Sequence, residues 1–239
     1  MSNPYLSIII PAHNEENRLP ETLTEVVQFI QKQTYQAEIL VVENASRDNT
    51  IKIAQDFAAR HAFIQAIHED LPGKGRAVRT GMLAATGEYR FFADADLSMP
   101  IAEVNRFLPP AVDAPIAIAS REAPGAIRYD EPAYRHITGR VFNSLIRILV
   151  LPKLQDTQCG FKMFRADVAE ELFERQTLMG WSFDVELLYI ARLRGLPILE
   201  IPIPWYFNPE SKVNVLRDSW RMFRDLLLIR QNGRLGKYA

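Results

Sequence analysis

In the segment FFADADLSMP, residues 91–100, Asp94 and Asp96 stand one residue apart directly behind an apolar run. If extended geometry continues through Ala95, strand side chains alternate and both carboxylates project to one side. Like charges that close repel unless a cation lies between them, and a divalent ion that also holds phosphate oxygens meets that need. The same residues suit a plain turn in which one aspartate caps a helix beginning in SMPIAEV. Spacing alone leaves both readings open.

Other residues carry chemistry of related kinds. In GKGRAVRTG, Gly73 and Gly75 permit a tight approach at a helix N-terminus, where Lys74 can face anionic groups. Arg76 and Arg79 read equally as solvated charges of that helix. The segment lacks the spacing and the terminal Ser or Thr of a Walker loop, which disfavours ATP hydrolysis. Asp156 in QDTQCGF, and Asp184 and Glu186 in WSFDVELL, are the carboxylates available as general bases. Cys159 has no evident histidine partner nearby and reads as a small buried residue.

The elements that must position these groups are legible as alternation. Strand patterns at 6–10, 37–43, 62–68, 88–94 and 114–120 are separated by helical ones. Leu19, Leu23, Val26 and Ile30 form one helix face, and Ile53, Ala54, Phe57 and Ala58 another, with Ser46 and Asp48 as cap candidates. Strand, helix, strand repeated in this way implies a mostly parallel α/β sheet with helices on both faces, in a single domain. Beyond Ser120 the pattern loosens into a polar loop (121–132), a helix (133–151), a short strand at GFKMFR, two more helices and the apolar run PILEIPIPWYF.

Composition removes whole classes of function. The 28 basic and 29 acidic residues of the 239 give no global field that argues for nucleic acid. A single cysteine precludes an intrachain disulfide and fits a reducing compartment. The early apolar segment LSIII is cut by proline with no small-residue cleavage site after it, so it reads as a strand and not as a signal peptide. No uninterrupted apolar run approaches the roughly 18 residues of a membrane span. The expectation is a cytoplasmic protein whose membrane contact, if any, is peripheral.

The ordered segments IIIPAHNEENRLPETL, ILVVENASRDNT, LPGKGRAVRTGM and FFADADLS resemble the nucleotide-sugar half of family 2 glycosyltransferases with the GT-A fold. LQDTQCGFKMF, WSFDVELLYIARLRGLPILEIPIPW and ESKV resemble those members that glycosylate dolichyl phosphate with glucose or mannose. The resemblance spans nearly the whole chain. It implies a nucleotide-sugar half (1–98), an acceptor half (99–213) and a C-terminal amphipathic helix and tail (214–239).

The resemblance also implies roles for residues. Pro11, His13, Glu15 and Glu43 fall to the nucleotide pocket, where a carboxylate can accept hydrogen bonds from a ribose hydroxyl or a base N–H. Lys74 and Asp94 border the same nucleotide, and Ser211 and Lys212 approach its diphosphate. Where the family has Asp-Asp-Gly-Ser, this chain has Glu43, Asn44, Ala45 and Ser46. The metal, Mg²⁺ or Mn²⁺, falls to Asp96 with Asp94, and to Ser98, which offers only a hydroxyl. Arg121 and Arg135 are placed near an acceptor phosphate, and Asp156 and Asp184 position acceptor and donor sugar.

The implied reaction moves a hexose, glucose or mannose, from a UDP- or GDP-sugar to a polyprenyl phosphate, with inversion. Such a phosphate, with a second pKa near ~6, is largely dianionic at neutral pH and needs cationic positioning, not a strong base. A saccharide or small-molecule hydroxyl acceptor would instead require one. A non-catalytic nucleotide-sugar sensor is a third reading, and a sugar nucleotidyltransferase is disfavoured because no G-x-G-x-R loop follows the first strand. Leu216, Trp220, Phe223 and Leu227, with Arg217, Arg221, Arg224 and Arg230 nearby, suit a helix lying in lipid headgroups or one packed on the core. The segment 141–151 has the same ambiguity.

Overall fold

Ile8, Ile9 and Ile10 are all fully buried, because the strand that carries them runs through the middle of a sheet covered on both faces. This is β1 (Leu6–Ala12) in a computed structural model that describes residues 3–208 and 215–239; the side chains of residues 135, 137, 138, 141, 142 and 215–219 also lie outside the description. The chain continues as α1 (Leu19–Gln31), β2 (Ala37–Asn44), α2 (Thr50–Arg60), β3 (Ile64–Glu69), α3 (Lys74–Ala84) and β4 (Tyr89–Ala93). A 3₁₀ helix (Ile101–Phe107) leads to β5 (Ile116–Ser120), β6 (Ile127–Tyr129), α4 (Ala133–Leu149), β7 (Phe161–Arg165) and α5 (Ala166–Glu174). The last elements are α6 (Phe183–Leu193), β8 (Ile198–Pro202), β9 (Pro204–Tyr206) and α7 (Val215–Arg234).

The main sheet has seven strands in the order β3-β2-β1-β4-β7-β5-β8, and only β7 runs antiparallel to its neighbours. Alternation along each strand divides the core. Ile8 and Ile10 join Leu19, Leu23, Val26 and Ile30 of α1 and Ala54 and Phe57 of α2 on one face. Ile9, Leu40 and Phe92 join Val78 and Met82 of α3, Leu172 of α5 and Leu188 of α6 on the other. The mixed α/β sandwich expected from the sequence is therefore present.

Two features of this topology locate the site. Strand order reverses between β1 and β4, so a crevice opens at their carboxyl ends, the usual ligand position in such sheets. Because β7 is reversed, its first residue pairs with the last of β4, Ala93↔Phe161, and the Gly160 carbonyl accepts the Asp94 N–H at 3.0 Å. The segment that ends at Gly160 is thereby delivered to the same rim.

Some expectations are corrected. The loop at 121–132 contains β6, which pairs in parallel with β9, and Tyr129 stacks on Tyr206 at 4.6 Å between ring centroids. The α2 N-cap is Asn49, without a side-chain bond. Ser46 Oγ instead accepts the Asn14 N–H at 3.0 Å, whereas Asp48 does serve the helix start, its Oδ1 accepting the Thr50 N–H at 3.0 Å while its Oδ2 accepts the Glu16 N–H of the loop after β1 at 3.1 Å. On α7 the buried face is Met222, Leu226 and Ile229, whereas Trp220 and Leu227 point outward at 67% and 48% exposure. Leu216 and Arg217 lie outside the described side chains. No described helix is long and apolar enough to cross a membrane.

Candidate functional site

Asp94 is the first residue beyond β4, and the chain turns there at once. The Leu97 N–H donates to the Asp94 carbonyl at 3.2 Å, and Leu97 adopts φ +41°. Extended geometry through Ala95 is thus replaced by a turn, because the ladders to β1 and β7 end at Phe92 and Ala93 and nothing beyond holds the chain straight. Asp96 Oδ1 accepts the Ser98 N–H at 3.1 Å, closing an Asx turn without capping the 3₁₀ helix, whose N-cap is Pro100. Thr22 Oγ1 of α1 anchors the turn by donating to the Ala95 carbonyl at 2.6 Å. Burial, and then the charge of Asp94, hold the Asp96 carboxyl above the usual range.

Gly160 fits the carboxylate from the other side. A Cβ there would lie 1.9 Å from Asp94 Oδ2 and 2.3 Å from its Cγ. Gly160→Ala should therefore displace Asp94 and lower transfer by about a hundredfold, since ångström-scale misplacement of a site group costs that much. Assay beside a thermal unfolding curve checks this, and an alanine variant with normal turnover would contradict the packing.

The positive charges come from α3 and β7. Lys74, the first residue of α3, sets Nζ 2.6 Å from Asp94 Oδ1 and 5.4 Å from the centre of the Trp181 ring. Burial works against this ammonium, but Asp94, Asp184 and Asp96 outweigh it and raise its pKa. The glycines beside it are explained by protein contacts. Gly73 has φ +144°, and a Cβ on it would meet the Met179 carbonyl oxygen at 2.3 Å; one on Gly75 would meet Phe183 Cβ at 2.6 Å. The close approach they permit is that of α3 to the loop entering α6.

That loop presents Asp184 in the first turn of α6. Lys162 of β7, 1% exposed, donates to Asp184 Oδ1 at 2.6 Å and to the Cys159 carbonyl at 2.5 Å. Burial raises the Asp184 pKa against the opposing pull of Lys162 and Lys74. Glu186 faces away from the rim and is wholly buried, accepting from Thr177 N, Leu178 N and Tyr238 O–H at 3.0, 2.8 and 2.8 Å. It fastens the loop and the C-terminus to α6.

Arg121 and Asp156 form a second centre beyond β5. Arg121 Nε and Nη2 donate to Asp156 Oδ2 and Oδ1 at 2.6 and 2.9 Å, and the Arg121 N–H adds a third bond at 3.0 Å. Asp156 is fully buried, which alone would raise its pKa, but the guanidinium reverses this and brings it down to about 2. Glu200 of β8 accepts the backbone N–H groups of Gln155 and Asp156, at 2.9 Å for the latter, and so fixes the segment. Trp205 lies 5.4 Å from Arg121 and 5.8 Å from Arg128, which donates to the Arg121 carbonyl at 3.2 Å. Cys159 is buried against Met99, and burial pushes its thiol up to about 12, which removes it as a nucleophile.

The third group lies at the ends of β1, β2 and β3. Pro11 pairs with Val42 in the ladder, and His13 Nδ1 donates to the Asn44 carbonyl at 2.5 Å. Glu15 binds Arg18 at 2.7 Å. Glu43, 1% exposed, accepts from the Ser46 N–H and from His68 Nδ1, the latter at 2.5 Å. Asn44 ties the next loop down, accepting the Gly73 N–H at 2.7 Å and donating to the Leu71 carbonyl at 2.5 Å.

The hydrogen bond to Glu43, aided by Asp70 and opposed by desolvation, raises the His68 pKa above 6.5. The stabilisation it gives is full below the unfolded-state value and is lost as pH rises through the folded one. Glu43→Gln should accordingly lower the His68 titration midpoint in NMR, and an unchanged midpoint would contradict the pairing.

The structure thus brings Lys74, Asp94, Asp96, Ser98 and Asp184 to one rim, with Arg121 and Asp156 beyond β5 and Pro11, His13, Glu15 and Glu43 at the opposite side of the crevice. Arg135 lies in α4 with its side chain outside the description, and Ser211 and Lys212 fall outside the described residues. Lys162, Glu200, Arg128 and Trp181 join the site without having been singled out from sequence. For the first two a signal existed, a lone charge inside an apolar strand pattern. Among the described residues no three His, Cys, Asp or Glu side chains form a cage for a metal. Asp94, Asp96 and the Ser98 hydroxyl, with carboxylate charge that Lys74 only partly offsets, fit a hard cation that keeps waters and shares a diphosphate.

Comparison with known proteins gives a consistent picture. Residues 7–173 match the family model described as glycosyl transferase family 2. A dolichyl-phosphate beta-glucosyltransferase of Drosophila melanogaster is 34% identical over 94% of this chain and 74% of its own. The Homo sapiens protein of that name is 32% identical over the same shares. Among solved structures, glucosyl-3-phosphoglycerate synthase of Mycobacterium tuberculosis in complex with Mn²⁺, UDP and phosphoglyceric acid superposes with TM-score 0.67 at 16% identity, over 99% of this chain and 79% of that one. At that identity the likeness concerns the fold, which is GT-A-like.

Proposed function

The chain belongs to glycosyl transferase family 2, and from that premise we propose that it moves glucose from UDP-glucose to a dolichyl-type polyprenyl phosphate, with inversion and with Mg²⁺ or Mn²⁺. That it is a glycosyltransferase removes the sensor reading. The acceptor is argued from one observation: each of the carboxylates considered as bases is already committed to a protein partner. Asp156 is held at about 2 by Arg121, Asp184 is engaged by Lys162 at 2.6 Å, and Glu186 is spent on the loop and Tyr238. A hydroxyl acceptor needs a base, whereas a lipid phosphate arrives deprotonated.

In this reading the donor half, 1–98, supplies Pro11, His13, Glu15 and Glu43 to the nucleoside and Lys74 to its phosphates. Asp94, Asp96 and Ser98 hold the cation, which offsets negative charge on the departing nucleoside diphosphate. In the acceptor half, 99–213, Arg121 turns its remaining donors to the acceptor phosphate with Arg135, while Asp156 and Glu200 keep it in place. Asp184, fixed by Lys162, positions the sugar, and Ser211 and Lys212 complete the diphosphate contacts. The outer face of α7, with Trp220, Leu227 and Leu228 beside Arg221 and Arg224, suits peripheral contact with anionic lipid.

Incubation with Mn²⁺, polyprenyl phosphate and each of a panel of radiolabelled UDP- and GDP-sugars tests the proposal. Organic-phase label is expected from UDP-glucose. Label from GDP-mannose instead, or only in a water-soluble saccharide, would overturn the donor or the acceptor respectively.

A further inference from the structure

The charges at the rim are unequal in number and in freedom. Asp94, Asp96 and Asp184 face Lys74 and Lys162, so the cluster carries one negative charge in excess. Lys162 is 1% exposed and tied to both Asp184 and the Cys159 carbonyl, so it has nowhere to go. Lys74 differs. Its backbone is fixed where Gly73 meets Met179, but its side chain is 17% exposed and lies beside the partly open Trp181 ring. Its ammonium lies 2.6 Å from Asp94 Oδ1 and so already pairs with a carboxylate that a divalent ion held by Asp94 and Asp96 would have to share.

A divalent ion arriving alone would have to displace that ammonium and leave it beside a dication, turning the excess from one negative to one positive. If the ion arrives with a nucleotide sugar, whose two phosphates each carry one negative charge, the excess returns to one negative. The displaced ammonium then has a phosphate to pair with. Charges at such separations in a partly dry site interact by several kcal/mol at an effective dielectric constant of about 20, enough to decide the order of events.

We propose that Lys74 is a resident counter-cation: it occupies the metal's place at Asp94 until the donor diphosphate draws it away, so that metal and donor bind as one unit. This rests on the nucleotide-sugar reading above and adds to it an order of binding. Donor-free protein then has little affinity for the metal, and free metal does not by itself organise the site.

The test is titration of the whole chain with Mn²⁺, reading free Mn²⁺ by its electron paramagnetic resonance signal, with and without UDP. Wild type and Lys74→Arg should bind Mn²⁺ weakly alone and about tenfold or more tightly with UDP. Lys74→Met and Lys74→Gln, two uncharged variants so that the outcome does not depend on one of them folding, should bind Mn²⁺ alone about tenfold more tightly than wild type and gain little from UDP. If the uncharged variants bind Mn²⁺ alone no better than wild type while UDP still tightens binding in all, the counter-cation is refuted and the metal-dependent reading stands. If wild type binds no Mn²⁺ even with UDP, both fall.

Discussion

Asp96→Asn is expected to lower transfer by about a thousandfold, equivalent to ~4 kcal/mol of transition-state stabilisation, while leaving the fold intact. Its carboxylate accepts the Ser98 N–H at 3.1 Å and the Ser98 hydroxyl, and an asparagine carbonyl can accept the backbone bond in the same way. Removing the charge also relieves repulsion from Asp94, which together with burial raises the Asp96 pKa. Unfolding temperature should therefore stay level or rise slightly as activity disappears. An active variant would remove Asp96 from the metal's ligands, and an unfolded one would give it a structural role that its contacts do not suggest.

Lys162→Met should show the opposite behaviour, with stability lost as well as transfer. Lys162 and Asp184 have 1% and 5% of their side chains exposed, and removing one partner of a buried ion pair strands the other. The expected loss is about 3–5 kcal/mol in urea unfolding at neutral pH. The double variant Lys162→Met/Asp184→Asn removes the stranded charge and should recover most of that stability without recovering transfer. A single variant as stable as wild type would mean that the pair is not buried as described, and an active double variant would remove Asp184 from the site.

These residues show where sequence was informative and where it was not. The run LSIII, the Leu19–Leu23–Val26–Ile30 stripe and the alternation of strand and helix report burial directly, so the sheet and its flanking helices were legible. Asp94 and Asp96 were legible as a pair at a strand end. Their geometry was not, because the turn at Leu97 arises from where the β1 and β7 ladders stop, a tertiary fact. For the same reason Gly160 could not be read as the seat of the Asp94 carboxylate: the contact depends on β7 inserting antiparallel between β4 and β5.

Charged residues inside apolar strands carry a signal of their own, since Lys162 between Phe161 and Met163, or Glu200 in PILEIPIPW, demands a polar partner. The glycines around Lys74 mislead in the other direction. Their position suggests a phosphate loop, whereas a Cβ on either would collide with Met179 or Phe183. Such helix-to-loop packing leaves no short-range mark in sequence. The roles proposed for Asp156 and Arg121 separate only in three dimensions, where the aspartate is buried in a bidentate pair with the arginine, the arrangement on which the proposal of Arg121 as the ligand-facing member rests.

The metal at the rim is the claim on which the chemistry depends, and crystals grown with UDP-glucose and MnCl₂, measured at the manganese absorption edge, test it most directly. An anomalous peak between the Asp96 carboxylate and the donor diphosphate, with Lys74 moved off Asp94, is the predicted result. UDP-glucose bound in the crevice with no anomalous peak beside Asp96 would contradict it.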